Sequence, residues 1–332
     1  MNRKLLSAVL IFFSAFIIFS CQKEGSINTG TGTTGFVKGK NRFTITMDGV
    51  QREYYVHVPN GYTGNTASPM VIMFHGSYQT GEQFYNISGW KEVGDSVNIL
   101  TVFPTAFSYC ITENGVTVNG GTKWTEFPAG ASGYSYCNGD TPKDDIKFMR
   151  EMITALKSKF NVDAKKIYCA GFSNGSGFSA RCAVELSDIF AACVSSGGGA
   201  ALPPDTTCNP VRLLPTMLMF GNKDDKMLKA LGLPSSASVP MGFTQLYTAY
   251  PGMYSRQPKP FINTFRLNPT YTLSGDTNSV AIADYVGLSG NPNNVFKMLE
   301  IKGMIHEYPN GINHPFRGAV YNWAWFKQYS MP

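Results

Sequence analysis

Two early segments, Thr44-Ile45-Thr46-Met47 and Arg52 to Val58, alternate apolar with polar positions at a period of two, the pattern of strands that bury one face. They predict an opening antiparallel hairpin. Five later runs, Met70 to Phe74, Ile99 to Phe103, Lys166 to Ala170, Ala191 to Ser195 and Pro215 to Phe220, are apolar almost throughout, as strands covered on both faces are. Val295 to Ile301 also reads as a strand. Helical spacing lies between the runs. The best case starts with Thr141 as N-cap, Pro142 at the first helical position and Asp144 in a capping-box place, then sets Ile146, Met149, Ile153, Leu156 and Phe160 on one face. Strands alternating with helices predict an α/β fold with a mostly parallel, doubly wound sheet. No internal repeat or second domain is evident, and the weakly patterned stretch from Met227 to Asn278 is expected to form a cap or extended loop.

The first residues follow a different logic. Arg3 and Lys4 precede an apolar segment from Leu5 to Phe19 that ends in Ile18-Phe19-Ser20-Cys21. This resembles a bacterial lipoprotein signal, which implies removal of residues 1–20 and acylation of Cys21 as a membrane anchor. About fifteen apolar residues are short for an uncleaved spanning helix. Gln22 to Gly35 are rich in Gly, Thr, Ser and Asn, so 21–36 reads as a flexible tether ahead of a folded domain over 37–332. Lys23-Glu24, close to the anchor, is a candidate export cue for the cell surface.

Composition narrows the function classes. The chain has 332 residues, 43% of them apolar, which suits one large α/β domain. A formal charge of +6 without a basic run predicts no nucleic-acid partner. Beyond Cys21 stand Cys110, Cys137, Cys169, Cys182, Cys193 and Cys208, an even number compatible with an oxidising compartment. They lack paired C-x-x-C units, so neither a metal site nor a cofactor is expected. Cys110 and Cys137 flank a glycine- and tyrosine-rich insertion and are the first expected bridge. Cys169 and Cys193 fall on strands that should be neighbours, either as buried thiols or bridged to Cys182 or Cys208.

The chemistry concentrates where the run Lys166 to Ala170 meets Gly171-Phe172-Ser173-Asn174-Gly175. A G-x-S-x-G pentapeptide between strand and helix is the pattern of a nucleophile elbow. A serine hydroxyl needs a base, an orienting acid and N–H donors for the oxyanion. The polar loop Gly221-Asn222-Lys223-Asp224-Asp225 follows a buried strand and offers Asp224 or Asp225 as the acid. Of the four histidines, His57 reads as a strand residue facing solvent or a neighbouring strand, and His75 as a support of the oxyanion loop. His306, in the loop after Val295 to Ile301, is favoured as base over His314, which precedes Pro315 at the entry to a terminal helix. The backbone N–H groups of Ser77 and Asn174 are the expected oxyanion donors.

Together Asp48 to Tyr54, Val58-Pro59, Phe74-His75-Gly76-Ser77-Tyr78-Gln79-Thr80, Asp144-Asp145-Ile146, Val162-Asp163 and Gly171 to Gly175 resemble the polyhydroxybutyrate depolymerase and feruloyl esterase branch of the α/β-hydrolases. The resemblance implies the α/β-hydrolase fold and a Ser173, Asp224 and His306 triad. Gly303 to Gly311 resembles that branch's histidine loop, with Met304 and Ile305 replacing glycines and Tyr308 replacing tryptophan. It further implies a serine carboxylesterase acting on feruloyl or acetyl esters of plant polysaccharide, or on an aliphatic polyester. Tyr78, Trp124, Phe172 and Tyr308, with Phe127, Tyr134 and Tyr136, fall in loops where ligands bind in open α/β sheets and are candidates for holding a planar acyl group. A serine peptidase and a non-catalytic glycan-binding lipoprotein are the competing readings.

Overall fold

The computed structural model describes residues 36–126, 133–198, 202 and 209–332. Residues 1–35, with the expected signal, Cys21 and the expected tether, and Phe127 and Cys208 lie outside the described residues.

The chain opens with β1 (Gly39–Met47) paired antiparallel to β2 (Val50–Val58). Asp48 and Gly49 turn the hairpin, both at positive φ, as a two-residue Asp-Gly turn between twisted strands requires. There follow β3 (Ser68–Phe74), α1 (Gly81–Ile87), α2 (Trp90–Val97) and β4 (Leu100–Pro104). An insertion of three antiparallel strands comes next: β5 (Ser108–Glu113), β6 (Val116–Thr122) and β7 (Tyr134–Tyr136). Then come α3 (Asp145–Lys159), β8 (Val162–Phe172), α4 (Asn174–Glu185), β9 (Ala192–Ser196) and β10 (Thr216–Gly221). Helices α5 (Asp225–Ala230), α6 (Phe243–Ala249), α7 (Pro251–Arg256) and α8 (Pro258–Phe265) lead to the hairpin β11 (Thr272–Asp276) and β12 (Val280–Val286), then β13 (Val295–Ile301) and α9 (Gly318–Phe326).

The main sheet runs β1-β2-β4-β3-β8-β9-β10-β13-β12-β11. Its centre, from β4 to β13, is parallel, and both flanks are antiparallel. Side chains alternate between two cores. Met70, Ile72 and Phe74 of β3 join Phe148 of α3, Phe178 of α4 and Phe261 of α8 on one face. Val71 and Met73 join Phe84 of α1, Trp90 of α2 and Phe326 of α9 on the other. Burial on both faces is why these strands carry continuous apolar runs.

Several expectations need correction. The helix expected from Thr141 begins at Asp145, with Asp144 as N-cap accepting from the Lys147 N–H. A carboxylate two residues past Pro142 caps the first turn, and no helix forms through the proline itself. Met227 to Asn278 is not an extended loop: it supplies most of α5, all of α6 to α8 and β11, packing Leu228, Phe243, Leu246 and Phe265 on the sheet. Short helices broken by Pro251 and Pro258 leave no long periodic stretch to read. The Cys110–Cys137 bridge closes the insertion, while Cys169, Cys182 and Cys193 are buried free thiols. His57 faces neither solvent nor a strand; it is buried between the Tyr85 hydroxyl at 3.0 Å and the Asp95 carboxylate at 3.1 Å.

Glu300 is a carboxyl with no solvent exposure, next to the last residue of β13. Its Oε2 accepts from the Gly242 N–H at 2.7 Å, and its Oε1 has no partner. Burial pushes its pKa from 4.5 up to about 7. An acid whose folded value is raised stabilises the fold below its unfolded value and loses that contribution as pH rises to the folded value. Stability therefore falls by about 3 kcal/mol between pH 4.5 and 7 from this group alone. Glu300→Gln keeps an acceptor for Gly242 and removes the titration. Urea melts of both proteins across this range should show the wild-type slope flattened in the variant, and identical slopes would refute the assignment.

Candidate active site

The loops that matter leave the carboxyl ends of β3, β8, β9, β10 and β13. At the end of β8, Ser173 has φ 53° and ψ −116°, a backbone geometry that costs a non-glycine residue roughly 1–3 kcal/mol. Its neighbours explain how it persists. A Cβ on Gly171 would overlap the Gly175 carbonyl oxygen, and one on Gly175 would lie 2.5 Å from the His75 carbonyl oxygen. The two glycines let strand, helix and the β3 loop come together with Ser173 at the crest. The Ser173 N–H is tied to the Ser196 carbonyl of β9 at 2.8 Å.

Ser173 Oγ lies 2.9 Å from His306 Nε2, and His306 Nδ1 lies 2.8 Å from Asp224 Oδ2 and 3.0 Å from Oδ1. Asp224 is almost fully buried and caps α5, its Oδ1 accepting from the Lys226 and Met227 N–H groups. Those bonds fix the carboxylate toward the ring. Asp225, the competing acid, lies within α5 itself. The acid and histidine loops are fastened to each other: Asn222 Oδ1 accepts from the Gly303 N–H at 2.7 Å and the Lys223 N–H donates to the Met304 carbonyl. Gly221 has no room for a side chain against the Met304 backbone. Phe172 packs on the His306 ring, centroids 5.0 Å apart. An Nδ1–H held by a carboxylate leaves Nε2 as a lone-pair acceptor for the serine proton.

The N–H groups of Ser77 and Asn174 donate to no acceptor among the described residues. Both flank Ser173, one in the β3 loop and one at the first position of α4. The loop is braced by His75, which has no exposure. Its Nε2 accepts from the Ala106 N–H at 2.9 Å, so Nδ1 donates to the Gly76 carbonyl at 2.7 Å. Burial lowers its pKa to about 4, so it stays neutral and in one tautomer at ordinary pH. The Tyr78 N–H donates to the Thr122 carbonyl at 2.8 Å, which joins this loop to the insertion.

The aromatic candidates require correction. Trp124 is fully buried, stacked 4.8 Å from Phe178, with its indole N–H donating to the His75 carbonyl. It offers no face to a ligand. Its backbone N–H and carbonyl instead hold the Asn174 side chain, at 2.7 and 3.1 Å, and Glu126 accepts from the same amide. Tyr308 is also buried, its hydroxyl accepting from Trp90 and Asn322. Phe172 is 6% exposed and supports the histidine. Tyr78 alone of the four is well exposed, at 42%. Sequence reasoning missed a pocket of about 190 Å³ beside Asp224, lined by Gly197, Phe220, Met227, Leu231 and Met253 among others. The patternless segment hid its α5 and α7 walls. Asn222 was legible only as part of a polar loop.

No family model matches the chain. Feruloyl esterase B of Piromyces equi is 28% identical over 184 residues, 55% of this chain and 31% of that protein. The bifunctional acetylxylan esterase/xylanase of Neocallimastix patriciarum is 23% identical over 177 residues, 53% of this chain and 22% of its own length. The matches thus span less than a third of either relative. Among solved structures, an acetyl xylan esterase from Aspergillus awamori aligns over 86% of this chain and 99% of that one, with TM-score 0.54 and 15% identity. The chain has the α/β-hydrolase fold. His314 is turned away from the serine: its Nε2–H donates to the Lys302 carbonyl and its Nδ1 accepts from the Phe316 N–H.

The two histidines should therefore separate sharply. His306→Ala should lower kcat for p-nitrophenyl acetate by roughly three to six orders of magnitude, and His314→Ala by less than about tenfold. A folded His306 variant with most of its activity intact would reject the arrangement.

Proposed function

We propose that the chain is a serine carboxylesterase that cleaves feruloyl or acetyl esters on plant polysaccharide. The observation that carries the reading is the relay from Ser173 Oγ through His306 to the buried Asp224. Ser173 Oγ attacks the ester carbonyl as its proton passes to His306 Nε2. The Ser77 and Asn174 N–H groups receive the oxyanion. The C–O bond to the sugar then breaks, and the imidazolium returns its proton to the leaving alkoxide. Water, deprotonated by the same ring, cleaves the acyl-enzyme and restores the serine hydroxyl. Asp224 keeps Nδ1 protonated throughout. The names of the esterase relatives support the substrate class.

A second reading, an aliphatic polyester hydrolase, draws on the exposed Ile305, 48% accessible and next to His306 in the chain, and on Ile312, 94% accessible further along the same loop. An apolar rim suits a surface of that kind. Release of ferulate, acetate and 3-hydroxybutyrate from feruloylated xylan, acetylated xylan and polyhydroxybutyrate, measured in parallel, decides between them. The first two products are expected, and release of 3-hydroxybutyrate alone would replace the reading.

Export and lipid anchoring through Cys21 complete the proposal. The Cys110–Cys137 bridge supports an oxidising compartment. Labelled palmitate fed to a bacterial host should mark the wild type and leave Cys21→Ala unmarked; an unlabelled wild type would remove the anchor.

A further inference from the structure

A second cleft lies away from the serine. It opens between α9 and the β12–β13 pair, encloses about 420 Å³, and is lined by Asp284, Lys297, Tyr321, Trp325, Gln328 and Tyr329 among others. Asp284 and Lys297 are register partners on the two strands, joined by an ion pair of 2.5 Å. Their charges cancel, so the cleft has no net attraction for a phosphate, a polyanion or a cation. Tyr321 and Tyr329 are half-buried, each presenting an aromatic ring beside a hydroxyl. Burial and the Asp284 charge raise the pKa of both phenols, which keeps them protonated as donors. Trp325 is buried against Tyr329 with centroids 5.0 Å apart and supports that ring from beneath the cleft. Gln328 is exposed at the mouth.

Aromatic faces next to neutral donors and acceptors match one ligand chemistry well: a pyranose chain, whose C–H faces pack on rings while its hydroxyls exchange hydrogen bonds at the ring edges. A purely apolar ligand would desolvate the Asp284–Lys297 pair without compensation. We propose that this cleft is a glycan-binding site for a neutral polysaccharide, separate from the serine site. The proposal rests on the polysaccharide esterase reading for its biological sense, but not for its chemistry. Lys297 stands four residues before Ile301, about 13 Å along β13 from the end that leads to His306. Val286 and Val295 place the cleft at the amino end of β13, so a polymer held there stays on the enzyme without occupying the serine site.

The test uses the full chain carrying Ser173→Ala, titrated with xylohexaose and with cellohexaose, alongside kinetics of the active enzyme. Val286→Arg places a charged, bulky side chain at an exposed cleft residue, and Gln328→Ala removes the amide at the mouth. Tyr321→Ala removes a ring. Each should weaken oligosaccharide binding by about tenfold and raise KM for polymeric xylan about fivefold, leaving kcat/KM for p-nitrophenyl acetate unchanged. Unchanged affinity and KM in Val286→Arg and Gln328→Ala would overturn the site, as would a loss of p-nitrophenyl acetate hydrolysis equal to the loss on polymer. If the oligosaccharides bind through this cleft while no xylan ester is cleaved, the substrate reading fails and the site stands.

Discussion

Everything in the site depends on how closely three backbones approach beneath Ser173. The carbonyl oxygens of Phe74 and His75 and the first turn of α4 occupy the space where side chains at Gly171 and Gly175 would stand. This contact holds a serine at φ 53°, and it also places the Ser77 and Asn174 N–H groups beside it, because the β3 loop and the start of α4 are the elements forced together. The strain at Ser173 and the open N–H groups beside it are one geometric fact. Packing of Phe74, Trp124 and Phe178, with centroids 4.8 to 5.3 Å apart, keeps the approach from relaxing.

The acid and base arrive by a different constraint. Parallel pairing of β10 with β13, from Thr216 with Phe296 to Gly221 with Ile301, ends both strands at the same level. Their loops then share hydrogen bonds through Asn222, Gly303, Lys223 and Met304 before Asp224 meets His306. The triad's hydrogen bonds are therefore the last links of a scaffold already fixed by backbone contacts, which limits the entropy lost in ordering the histidine.

The central strands were legible because burial on both faces demands continuous apolar runs, and the meeting of Ser173, His306 and Asp224 because strained turns and polar strand ends leave local signatures. Aromatic roles were not. Trp124 and Tyr308 stand in loops by sequence, yet the fold wraps those loops under the site, where the indole N–H and phenol hydroxyl find partners and the rings fill the core. Loop position tells where the backbone goes, not which way a large side chain turns. The region after Asp224 failed for a related reason: six- to eight-residue helices interrupted by proline give too few turns for periodicity to show.

That relocation changes how specificity must be argued. With Trp124 committed to holding Asn174, the insertion bears on the serine site through the position of the Asn174 backbone, and its Cys110–Cys137 bridge closes the platform that does so. Apolar space next to the triad comes instead from α5 and α7, where Leu231 and Met253 face Gly197 across a pocket beside Asp224. Gly197, at φ 60°, leaves that wall free, since a Cβ there would press on the Phe172 ring at 2.7 Å and stand 3.7 Å from His306. Substitutions around Trp124 should thus alter all esters alike, whereas changes on α5 and α7 should discriminate by acyl size in kcat/KM for acetyl, butyryl and feruloyl esters, because among the described residues Leu231 and Met253 line a space that an acyl group can fill.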